Sequence, residues 1–98
     1  MTMRTALACL LVVAACAFVP QRNARLEEAR QAFREAVAEP EVARHAAPEL
    51  RQAAELLEQA SRARDTLDDA AVVDHLAYVA RQRVAIAREV AKLRAKSP

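Results

Sequence analysis

At 98 residues the chain holds one small domain at most, with no glycine, no tryptophan and a formal net charge of +2. Phosphate-cradling loops and dinucleotide fingerprints need glycine for tight turns and close backbone approach, so these function classes are excluded. Two-residue β-hairpins lose their usual turn residue as well, and the abundance of alanine points to closely packed helices.

The first stretch, MTMRTALACLLVVAACAFVP, has one early cation, Arg4, followed by an apolar run from Ala6 to Val19. That run is too short to cross about 30 Å of hydrocarbon, which takes about 20 helical residues, and it matches the apolar core of a signal peptide. Val13-Ala14-Ala15-Cys16 resembles the bacterial lipobox, in which small residues precede a cysteine that becomes the new N-terminus. The resemblance implies a signal peptide over residues 1–15, a lipidated Cys16, and a tether over residues 16–22. It also implies a diacylglyceryl group on the sulfur and usually an acylated amine, and more than one chain gives stable anchoring. Ala17 after the cysteine, where aspartate would suggest inner-membrane retention, implies the outer membrane rather than the inner. Cleavage after Ala17 is the alternative, because Ala15-Cys16-Ala17 also fits the small-x-small pattern. Cys9 is lost with the signal segment in either case, so the mature chain forms no disulfide.

The helical domain is expected over residues 23–98. Asn23 is placed to cap a first helix, NARLEEARQAFREAVA, with Leu26, Ala29, Phe33 and Ala36 on one face. Pro40 cannot continue that helix and biases Glu39 away from helical geometry, so it stops near Ala38. EPEVARHAAP is read as the first connection, with a turn of helix around Val42 as the alternative. Pro48 opens a second helix, PELRQAAELLEQASRAR, whose stripe is Leu50, Ala53, Leu57 and Ala60, widened by Leu56 and Ala63. Thr66 with Asp69 three residues on suggests a capping box before a third helix, Asp68 to Lys96.

That third helix carries two apolar seams displaced by one residue. One is Val72, Leu76, Val79, Ile86, Val90 and Leu93, interrupted by Arg83; the other is Val73, Ala77, Ala80, Val84, Ala87 and Ala91. Two adjacent stripes call for two neighbours. The predicted fold class is therefore all-α, an up-down-up antiparallel three-helix bundle with an extended third helix. At ~1.5 Å per residue the third helix spans ~43 Å and the others ~25 Å each, so its last turns should project beyond the bundle.

Charge is divided along the chain. From Glu27 to Asp74 twelve acids face six arginines, whereas Arg81, Arg83, Arg88, Lys92, Arg94 and Lys96 stand against Glu89 at the end. An acidic first half and a basic last helix suit each other, and cations are favoured at a helix C-terminus.

APELRQAAELLEQA and VVDHLAYVARQRVAIAREVA resemble a helical module of bacterial envelope lipoproteins, domain of unknown function 4398. The resemblance runs from Ala24 to Lys96 and includes Leu76-Ala77-Tyr78 and Ile86-Ala87-Arg88-Glu89. The family's A-P-x-E-L-like start is shortened here to Ala47-Pro48-Glu49-Leu50. Family members often carry an OmpA-like peptidoglycan-binding domain downstream. None of its residues precedes Pro98, so none of its binding residues is carried over. The resemblance implies a location and a fold but no activity.

Chemistry finds little footing. His45 and His75 have no His or Cys three or four residues on, so both are read as surface histidines and no metal site is expected. Asp68, Asp69, Asp74 and Glu89 are read as capping and solvated residues, because acid-base pairs need a pocket that separates their pKa values. No enzyme activity and no cofactor are expected. Arg88, Lys92 and Lys96 share a stripe that would track phosphates, but no aromatic residue interleaves, and an exported protein meets no nucleic acid routinely. Arg83 is read as an edge residue with its stem packed and its head in water.

The reading is a lipid-anchored periplasmic interaction or scaffold module of the cell envelope. Its partner-binding residues are Ile86, Val90, Leu93, Arg88 and Lys92, met by a second copy or by another envelope protein. The alternative is a periplasmic holdase that shields unfolded clients on an apolar helical surface. Intact mass after membrane extraction should show acyl groups on a chain beginning at Cys16. A soluble species beginning at Phe18 would overturn the anchor.

Overall fold

The computed structural model describes residues 23–66 and 69–97. The signal segment, Cys16 and the tether expected over residues 1–22 lie outside the described residues, as do Leu67, Asp68 and Pro98. Among the described residues the chain is all-helical, in four helices: α1 (Ala24–Ala38), α2 (Pro40–His45), α3 (Ala47–Thr66) and α4 (Ala70–Lys96).

Local chemistry sets most of the ends. Asn23 caps α1, its side-chain oxygen accepting from the Leu26 N–H at 2.9 Å. Glu39 takes extended geometry before Pro40 and ends α1 at Ala38. The same proline then opens α2, because its fixed φ suits a first helical position and its missing N–H costs nothing there.

The short α2 corrects the expected three-helix count. EPEVARHAAP is not an irregular connection but two turns of helix followed by a single non-helical residue, Ala46. Val42 is buried against α4, and that tertiary contact stabilises a helix too short to form alone. A second correction concerns the last connection. Thr66 belongs to α3, its hydroxyl donating back to the Arg62 carbonyl, and Asp69 is itself the cap of α4, accepting from the Ala71 N–H at 3.0 Å. No capping box links the two.

Two clusters make up the core. The first joins Leu26 and Ala29 of α1, Leu57, Ala60 and Ala63 of α3, and Val73, Ala77 and Ala80 of α4. The second joins Ala36, Val42, Ala46, Leu50 and Ala53 to Val84, Ala87 and Ala91. Phe33 packs against both and ties them together. Most of these residues are alanines, so backbones approach closely and each contact buries little area.

Along α4 the polar partners step in order. Asn23 donates to Asp74 at 3.0 Å, Arg81 pairs with Glu28 at 3.3 Å, and Arg88 pairs with Glu39 at 2.9 Å. These partners on α1 and at its end advance in the same sense as α4. Those on α3 run in reverse, with Leu57 to Ala63 beside the start of α4 and Glu49 paired to Arg94 near its end. Arg30 of α1 also donates to Ser61 of α3, whose hydroxyl donates in turn to the Leu57 carbonyl.

The two seams of α4 separate. Val73, Ala77, Ala80, Val84, Ala87 and Ala91 are all buried, whereas Val72, Ile86 and Leu93 are exposed and Leu76, Val79 and Val90 are half-buried. Leu76 therefore lies at the margin of the core, not at its centre. The expected projection also shortens, because α2 and the start of α3 cover α4 as far as Ala91. Core substitutions should follow this division. Leu26→Ala should cost about 2–5 kcal/mol by opening a cavity, and Ala80→Leu about 1–3 kcal/mol by overpacking, in urea unfolding followed by circular dichroism. Loss of stability confined to Leu76→Ala would contradict this core.

Candidate helix-docking surface and groove

The residues marked as a binding site lie on the C-terminal half of α4. Successive residues turn by about 100°, which places Ile86 and Arg88 about 160° apart around the helix. The structure therefore divides the five. Arg88 and Lys92 face α2, where Arg88 is tied to Glu39 at 2.9 Å. Ile86 and Leu93 lie on the other flank, 41% and 68% exposed, with half-buried Val90 packed against the second core cluster.

On the exposed flank Val72, Val79, Ile86 and Leu93 recur every seven residues, with Leu76, Arg83 and Val90 between them. This is the spacing that keeps one stripe against a neighbouring helix. Arg83 is exposed within that row. Since the internal core uses the adjacent stripe, Ile86 is only partly covered by the described bundle and Leu93 still less.

Between α2 and the last turns of α4 lies a groove of about 410 Å³. Val42 and Ala91, both buried, and exposed Ala95 line its apolar part. Arg88, Lys92 and Lys96 stand on the α4 side, Glu39 and Glu41 on the α2 side. Glu41 also meets His45 at 3.4 Å, one turn along α2. The groove exists because alanine occupies positions 91 and 95 of the helix, where longer side chains would fill it.

Arg94 holds this end of the molecule together. Its guanidinium donates to the His45 carbonyl at 2.7 Å and to both oxygens of Glu49, at 2.9 and 3.3 Å. It thereby satisfies a carbonyl at the end of α2 and a carboxylate in the first turn of α3. The planar fork of arginine suits this two-oxygen contact, which lysine cannot reproduce.

A model of the domain of unknown function DUF4398 matches residues 24–97. The chain belongs to this family. Comparison with curated proteins and with solved structures gives no match. The DUF4398 domain here takes in the whole described bundle, so both the groove and the exposed seam belong to it.

His45 is half-buried at the α2–α3 junction and His75 is exposed on α4, well apart in the chain. Among the described residues no three His, Cys, Asp or Glu side chains come together as a metal site would need. Nor is any described helix long and apolar enough to cross a membrane. The sequence pattern leaves Glu39, Glu41 and Arg94 unmarked as site residues, and gives Val42 only the alternative of a turn of helix. Val42 carried the one available signal, a lone bulky apolar residue in the polar stretch between Glu39 and Glu49.

Arg94→Lys should keep the charge but lose the two-oxygen contact, destabilising the fold by about 0.5–1 kcal/mol. Hydrogen exchange should quicken over Pro40–His45 before it does in α1. Equal acceleration in both helices would show that Arg94 does not hold α2.

Proposed function

We propose that this DUF4398 protein is a lipid-anchored periplasmic helical interaction module of the bacterial cell envelope, working as a scaffold. Its architecture is read as an up-down-up bundle in which α1 and α2 in series form the first arm. The order of the α4 partners, from Asp74 to Arg94, supports that reading.

One observation carries the functional part. In the row spaced every seven residues, Val72, Ile86 and Leu93 are exposed and Val79 is half-buried, although α4 has a complete buried stripe of its own. A buried stripe alone would suffice to fold the domain. A second stripe at coiled-coil spacing fits another helix lying along α4, as exposed apolar rows commonly mark protein contacts. The lipobox-like Val13-Ala14-Ala15-Cys16 supports attachment to a membrane. Six or seven tether residues would then keep the bundle close to the membrane surface.

Ile86→Asp and Leu93→Asp fall on exposed positions and should change stability by only about 0.5 kcal/mol or less. In envelopes carrying a photocrosslinker at Val79, the pair should abolish one or two defined adducts while helicity is retained. Adducts with many unrelated proteins, coupled to suppression of client aggregation, would instead establish a holdase.

A further inference from the structure

The groove between α2 and α4 is separate from the seam and carries a reading of its own. Its floor is apolar and made of small residues, Val42, Ala91 and Ala95. Its volume of about 410 Å³ lies within the ~300–1,000 Å³ of small-molecule sites. The charges at its lips are not equally free. Glu39 is occupied by Arg88 at 2.9 Å, and Glu41 faces His45 at 3.4 Å. Lys92 has only a solvent-exposed contact with Glu89 at 3.3 Å, which is weak and easily exchanged. Lys96 forms no ion pair among the described residues, and it stands one turn beyond Lys92 on the same lip. On the α4 lip the uncommitted charge is therefore positive and borders the apolar floor, while Glu41, exposed on the opposite lip, has only the His45 imidazole as a partner among the described residues.

We propose that this groove binds a single-chain anionic amphiphile of the fatty-carboxylate class, with its chain over Val42, Ala91 and Ala95 and its head between Lys92 and Lys96. An apolar trough with ammonium groups along one edge matches a ligand having an apolar body and one anionic end. A free phosphate would leave the floor empty. A helical peptide would require a longer apolar row than these three residues provide. Arg88 acts here as a positioning residue, because it neutralises Glu39, one of the two carboxylates on the α2 lip, and so lessens the repulsion of an incoming carboxylate.

The test uses the full-length chain in membrane vesicles and a photoreactive medium-chain fatty acid. Adducts should map to the segments holding Val42 and Ala91–Lys96, and unlabelled fatty acid of the same length should compete. Inorganic phosphate and added phosphatidylglycerol vesicles should not. Ala95→Trp, at an exposed position, should fill the trough and abolish the adducts while circular dichroism shows unchanged helicity. Lys92→Gln with Lys96→Gln should weaken competition by the carboxylate on the order of tenfold, and competition by the matching fatty alcohol should be unaffected. Labelling that persists in Ala95→Trp, that maps to Val72, Val79 and Ile86, or that phosphatidylglycerol removes equally well would overturn the proposal. The adduct forms on the chain itself and requires neither the anchor nor a protein partner, so this result is independent of the scaffold reading.

Discussion

Close approach of backbones at alanine is the constraint on which the rest of this bundle depends. The buried stripe of α4 is Val73, Ala77, Ala80, Val84, Ala87 and Ala91, facing Ala29, Ala36, Ala53, Ala60 and Ala63 on the other helices. A methyl group contributes little area, so no single contact dominates and stability accrues from many short-range ones. Such a core has little tolerance for added volume. It depends for its bulk on a few larger residues, with Leu26, Val73 and Val84 fully buried and Phe33 joining the two clusters.

Polar contacts fix the register that alanine cannot. A stripe of near-identical small side chains would fit equally well after a shift of one helical turn. Asn23–Asp74, Arg81–Glu28, Arg88–Glu39 and Arg94–Glu49 mark successive positions along α4, and each would be lost by such a shift. Most are solvent-exposed and contribute little to stability one by one. Their value lies in selecting one alignment from several of similar packing, the role that charged pairs flanking apolar seams commonly serve. The acidic first half and basic last helix are thus complementary surfaces of a single bundle, which gives the charge division a structural basis without any external partner.

α2 changes the functional geography of α4. By laying Val42 on the second half of that helix it covers Ala87 and Ala91, opens a groove beside Arg88 and Lys92, and leaves the row through Ile86 and Leu93 on the far flank. What reads in sequence as one basic, apolar helix end is two surfaces of different chemistry. One suits a helix partner and the other a small amphiphile.

The sequence by itself determined the helical class, the cap at Asn23, the stop before Pro40 and both seams of α4. These rest on local backbone chemistry and on spacing, which are properties of neighbouring residues. Membership of the family was legible in Ala47-Pro48-Glu49-Leu50 and in the small-residue pattern that follows. The tertiary structure alone decided that residues 40–45 are helical, since two turns form only when Val42 has something to pack against. It alone decided which seam is buried. Valine and leucine on one stripe outweigh alanine on the next in apolar area, yet close packing of the helices against α4 favours the smaller side chains. The bulkier row was left half-buried at Leu76, Val79 and Val90 and exposed at Val72, Ile86 and Leu93 for that reason.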